Sequence, residues 1–202
     1  VYKRQIPGGY LKREGKPSEN AILTDRVIDR PMRPLFPKDY RNDVALNNLV
    51  MSVDPDCSPE LTAMLGSAIA TAISDIPFDG PISTTQVGLV DGEFVFNPTA
   101  AQKEVSDLAL TVASTKEKVI MIEAGAKEVP EAKMIEAIFA AHDLNQKVIA
   151  FFDTIVAECG KPKHEYQSFA VPQELFDAIQ EIVPAAEMEE AVFTDDKQTR
   201  EE

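Results

Sequence analysis

Residues 82–96 read ISTTQVGLVDGEFVF, and this stretch decides the fold. Asp91-Gly92 is the strongest hairpin signal in the chain, because a two-residue turn wants positive φ at both positions, which Asp tolerates and Gly adopts freely. The run from Ile82 to Val90 is therefore expected to turn back as Glu93-Phe94-Val95-Phe96. A second pair of strands is expected over 108–113 and 118–124, joined by a turn at 114–117. Helices flank these hairpins. Ser58 is an N-cap candidate with Pro59 at the first helical position, opening a helix rich in Ala, Gly and Ser that runs to Asp75. That helix is apolar almost all round, which places it in a core. After Pro130 a long helix runs to about Cys159, with Met134, Ile138, Ala141, Val148, Phe152 and Ile155 among its apolar positions. Gly160 and Pro162 are expected to stop it. Upstream, Ser18 caps a helix over 20–30 whose apolar stripe holds Leu23 and Val27, and Pro31 should end or kink it. Residues 43–53, mostly VALNNLVMSV, read as a strand closed by Asp54-Pro55-Asp56. Residues 161–172 read as a polar linker, Gln173 to Val183 as a new helix, and Glu187 to Glu202 as an acidic and loosely structured end. The order helix, strand, helix, hairpin, hairpin, helix is that of an α+β domain.

The 202 residues carry 20 Lys plus Arg against 34 Asp plus Glu, a net charge of −14, with 44% hydrophobic and 27% charged residues. That is the composition of a globular chain and not of a disordered tail. No apolar run approaches the roughly 20 residues that a membrane span needs. Two cysteines, Cys57 and Cys159, are too few for a disulfide scaffold, so reduced thiols in a cytoplasmic protein are the simpler reading. The charge is unevenly spread. Residues 1–41 hold ten basic residues against five acidic ones, whereas the rest of the chain is strongly acidic. A basic segment on an acidic body focuses potential locally and repels polyanions elsewhere.

Several motifs in fixed order carry a resemblance: IPGGYLKREGKPS at 6–18, LTDRVIDRPMRPLFP at 23–37, SVDPD at 52–56, IPFDGPI at 76–82, then Val87-Gly88, Asp91-Gly92, Asn97-Pro98-Thr99, EAGA at 123–126 and Gly160-Lys161-Pro162. Over roughly residues 6–163 the chain resembles the bacterial polynucleotide phosphorylase family. The resemblance implies an RNase PH-like α+β fold, which in that family occurs twice in one chain, with a helical domain between the copies and KH and S1 RNA-binding domains at the C-terminus. It implies residues 1–160 as the first repeat without its N-terminal strands, 161–172 as a linker and 173–202 as the start of the helical domain. It further implies a homotrimeric ring around a channel for single-stranded RNA, which is degraded from its 3′ end by inorganic phosphate with release of nucleoside diphosphates. The family's phosphate-binding serines and metal-binding carboxylates belong to the second repeat. The cation, Mg2+ or Mn2+, is thus expected outside this chain, and the chain alone is expected to be inactive. The alternative is a non-catalytic RNA-binding or scaffolding protein with the same fold.

By the same resemblance, Tyr10, Lys12 and Arg13 match a channel loop that grips RNA, with Leu11 standing where the family has a second aromatic and Lys12 where it has an arginine. The chemistry suits the role, since a cation neutralises phosphate and an aromatic face stacks a base. Lys12 keeps the charge but lacks the planar fork of arginine. Arg30 lies where single-repeat RNase PH enzymes place a phosphate-binding arginine. Arg26, Arg30 and Arg33 fall at i, i+4 and i+7, one helical face if Pro31 does not break the turn. Arg30 and Arg33 could face RNA or serve as ion-pair scaffolding, Asp29 being four residues before Arg33, while Arg26 reads as structural. Asp54 with Asp56 and Asp75 with Asp79 flank Pro or Gly and read as turn formers rather than metal ligands. His142 has no second ligand at useful spacing and reads as a surface or core histidine.

Overall fold

Asp91 (φ 51°) and Gly92 (φ 82°) form the tight turn between strands β1 (Ser83–Val90) and β2 (Glu93–Phe96). The computed structural model describes residues 17–201. Strands β3 (Leu108–Ser114) and β4 (Val119–Ala126) complete an antiparallel sheet in the order β2-β1-β3-β4. The helices of the same unit are α1 (Glu19–Met32), α2 (Pro59–Ile73), α3 (Ala100–Val105) and α4 (Glu131–Cys159). Because side chains alternate along a strand, Val87 and Leu89 share one face of the sheet with Leu108, Leu110 and Val112. These pack against Ala137 and Ala141 of α4. On the opposite face, Ala113 and Met121 pack with Ile28 and Met32 of α1 and Met64 and Ala68 of α2.

One polar group lies at the centre. Asn145 of α4 is 0% exposed. Its Nδ2 donates to the Val112 carbonyl (3.1 Å) and to Ser114 Oγ (2.9 Å), while its Oδ1 accepts from Thr85 Oγ1 (2.8 Å). The Val112 carbonyl can only accept, which fixes the amide's orientation.

A second set of bonds seals the end of α2. A helix leaves its last carbonyls without intrahelical donors. Here Lys163 Nζ donates to the carbonyls of Thr71 (3.2 Å), Ala72 (2.9 Å) and Ser74 (2.8 Å). The backbone N–H groups of Lys161 and His164 donate to Ile73 O (2.9 Å) and Asp75 O (2.8 Å). Residues 161–164 therefore form a strap on α2. Burial lowers the pKa of Lys163, and Asp75 raises it partway back.

The second unit comprises Lys38–Arg41 and the chain from Gln167 onward. It contains α5 (Gln173–Ile182), α6 (Ala185–Phe193) and α7 (Lys197–Glu201). Within it, Ser168 Oγ donates to the Asp39 carboxylate and Phe169 N–H to the Asp39 carbonyl. The acidic end, read as loose in the sequence, is thus largely helical.

Other details go beyond the sequence reading or depart from it. Residues 43–53 form no strand: they run extended with a single bridge at Leu49, and Leu46, Leu49, Met51 and Val53 are exposed. A strand needs a ladder partner, and none of the described strands lies beside this one. Pro31 does not end α1, which runs on to Met32 and into a 3-10 turn over Arg33–Leu35. Gly160 does stop α4, but with φ −67° rather than in the left-handed region. What requires glycine is space, since a Cβ there would run into the Val156 carbonyl oxygen. Helix α3, absent from the sequence reading, starts with a full capping box of Thr99 and Gln102.

Two substitutions test these bonds. Asn145→Leu keeps the number and branching of the side-chain heavy atoms but leaves the Thr85 and Ser114 hydroxyls without their amide partner, and should cost about 2–4 kcal/mol in chemical denaturation. Lys163→Met should lower stability at pH 7 by about 1 kcal/mol. Because the folded pKa of Lys163 lies below its ordinary 10.5, the folded state sheds this proton first, so its titration adds stability as pH rises through that window. Lys163→Met should remove that rise in a pH series of melting curves.

Candidate nucleic-acid interface

Helix α1 has two opposite faces. Thr24, Ile28, Pro31 and Met32 are buried and lock it into the core. Arg26, Arg30 and Arg33 lie on the other side, all exposed. The helix persists through Pro31 because the break falls in its last turn, so the three guanidinium groups share one stripe after all. Ser18 opens this helix as expected, its hydroxyl accepting from Ala21 N–H at 3.2 Å.

Arg33 and Arg30 have different partners. Arg33 grips Asp29, with Nε to Oδ2 at 3.0 Å and Nη2 to Oδ1 and Oδ2 at 2.8 and 2.7 Å. This is the i, i+4 scaffolding pair that the spacing allows, yet the Arg33 side chain is still 76% exposed. Arg30 reaches another element: its Nη1 stands 3.6 Å from Glu123 Oε2 on β4. Among the described residues Arg26 makes no ion pair. Solvated pairs of this kind contribute only about 0–1 kcal/mol, so a phosphate can replace either carboxylate at little cost.

Glu123 also lines a cleft of about 620 Å³ between α1 and the sheet, with Leu23, Val27, Gln86, Lys103 and Thr111 among its walls. Sequence reading missed Glu123 and Lys103 as members of this surface. The only trace of Glu123 was its place in the EAGA motif, and nothing local marks its pairing with Arg30 across the fold.

The remaining candidates fall as follows. Tyr10, Lys12 and Arg13 lie outside the described residues. Asp54 Oδ1 accepts from Asp56 N–H at 2.9 Å, a local turn bond as expected. Asp75 and Asp79 engage through their backbones, Asp75 O with His164 and Asp79 N–H with Leu35 O. His142 is half-buried on α4 beside the Gln146 amide. Among the described residues no three His, Cys, Asp or Glu side chains gather to hold a metal ion, and no helix is long and apolar enough to cross a membrane.

Comparison with known proteins bears on the family and the fold. Profiles of the 3′ exoribonuclease family match residues 2–77 (domain 1) and 80–143 (domain 2). The chain is 79% identical over 198 residues to the polyribonucleotide nucleotidyltransferase of Lachnoclostridium phytofermentans, covering 98% of this chain and 28% of that protein. It is 53% identical to the enzyme of the same name from Shouchella clausii and 52% identical to that from Clostridioides difficile, covering 98% and 97% of this chain and 28% of each relative. The chain therefore spans little more than a quarter of the length of these relatives. The crystal structure of rice (Oryza sativa) Rrp46 matches with a TM-score of 0.56 at 12% identity, over 71% of this chain and 69% of that one, a likeness of fold. With residues 2–77 and 80–143 matching the two domains of one family on an RNase PH-like α+β fold, this chain belongs to the 3′ exoribonuclease family.

Proposed function

We propose that this chain supplies RNA-contacting surface to an enzyme that shortens RNA from the 3′ end with inorganic phosphate. A phosphate oxygen attacks the 3′-terminal phosphorus, and the bond from that phosphorus to the neighbouring ribose O3′ breaks. The terminal nucleotide leaves as a nucleoside diphosphate, and the freed oxygen takes a proton to become the new 3′ hydroxyl. The reverse reaction polymerises diphosphates. By the family resemblance, the Mg2+ or Mn2+ of this chemistry is held by carboxylates of the second repeat, beyond this chain.

The observation that carries this reading is the arginine stripe on α1, solvent-facing on a helix whose other side is locked in the core. Arg30 and Arg33 hold backbone phosphates, and Tyr10, Lys12 and Arg13 add a stacking ring and two further cations. In the assembled protein these surfaces line the channel of a homotrimer in the cytoplasm. Residues 1–160 then form the first RNase PH-like repeat, 161–172 the connection and 173–202 the opening of a helical domain.

Two measurements test the reading. In the full-length enzyme, changing Lys12 and Arg13 together to Ala should weaken single-stranded RNA binding and flatten its logarithmic salt slope by about 1.4, at about 0.7 per cation. An unchanged slope removes the channel-loop role. In a phosphorolysis assay, the full-length enzyme should release nucleoside diphosphates and the isolated chain should not. Turnover by the isolated chain would place the active site within these 202 residues.

A further inference from the structure

Among the described residues, Arg30 is the one arginine of the α1 stripe that pairs with a different element, through Glu123 on β4. The geometry of this pair is loose. At 3.6 Å, with the Arg30 and Glu123 side chains 60% and 49% exposed, the two charges touch without a hydrogen bond and remain open to water. The surroundings leave room for exchange, because Glu123 stands on the cleft wall beside Ala124 and Gly125, with Ala109 and Thr111 on the adjoining strand. A carboxylate in that position does two things to a guanidinium. It restricts the rotamers of a long side chain before ligand arrives, and it occupies the fork that a phosphate would use.

We propose that Glu123 is a positioning residue that holds Arg30 at the α1–β4 cleft in the free enzyme and gives it up to a phosphate group of the RNA strand. This rests on the reading of Arg30 as an RNA contact. On arrival the anion replaces the carboxylate as the partner of Arg30, and Glu123 turns to solvent. Glu123 thus sets how tightly this point of the surface holds RNA, which allows the strand to move on after each nucleotide is removed.

The test uses the full-length enzyme with Glu123→Gln, Arg30→Gln and the double variant, and reads affinity for single-stranded RNA against salt together with kcat and KM. Glu123→Gln removes the competing charge and keeps the size of the side chain. It should tighten RNA binding by about two- to five-fold, the range of a solvated ion pair, and lower KM more than it changes kcat. Arg30→Gln should weaken binding and flatten the logarithmic salt slope by about 0.7. In the double variant the effect of Glu123→Gln should vanish, since its target is gone. If Arg30→Gln weakens binding but Glu123→Gln has no effect, or the same effect with and without Arg30, the positioning role is overturned and the RNA contact stands. If Arg30→Gln leaves affinity and salt slope unchanged, the RNA contact falls and the role of Glu123 falls with it. Glu123→Lys, on an exposed edge strand, gives a second check: it should tighten binding further, and equal or weaker binding than Glu123→Gln overturns the proposal.

Discussion

A completely buried amide must find partners for its polar atoms, and Asn145 finds them on two strands at once. The constraint is directional in a way that apolar packing is not. Val87, Leu110 and Val112 would accept α4 in several slightly rotated positions, but the Nδ2 and Oδ1 of one side chain meet Val112, Ser114 and Thr85 in only one. That one position brings Ala137 and Ala141 down on the sheet and sends Phe152 into the cluster with α1 and α2. The setting of α1 against β4, and with it the approach of Arg30 to Glu123, follows from this packing.

The charged surface is built on a helix with a division of labour. Buried Thr24, Ile28 and Met32 fix α1 in place, so its arginines need no ion pair to hold the helix. Their carboxylate partners are solvated and weakly bound, which keeps the cations ordered without removing them from use. A strongly buried pair at the same positions would stabilise no better and would surrender its cation only at a large cost.

What the sequence disclosed follows the range of the interactions involved. The Asp91-Gly92 hairpin, the Ser58-Pro59 start of α2 and the run of α4 depend on residues a few positions apart, and all three are present. So is the Asp29–Arg33 pair, four residues apart. Residues 43–53 carry the apolar content of a strand, but strands exist in pairs and the partner is not written in the segment itself. Asn145 looks like any polar residue on a long helix until the sheet closes over it. The Arg30–Glu123 contact joins a helix near one end of the unit to an edge strand far along the chain, with no periodicity to announce it. Resemblance to a family is what singles out the arginine surface for the proposed role, which local physics alone does not.

The strap of residues 161–164 has a consequence for the order in which the protein is made. Its Lys163 bonds reach back 89 to 92 residues to the end of α2. A ribosome adding about 5–20 residues per second needs on the order of 5–20 seconds to cover that distance. Throughout that interval α2 is complete in sequence but open at its last turn, while both hairpins and α4 emerge after it. The final turn of α2 is therefore among the last parts of this unit to close, and the amide protons of Lys161 and His164, which donate to Ile73 and Asp75, report when the whole unit has been assembled rather than when the helix first forms.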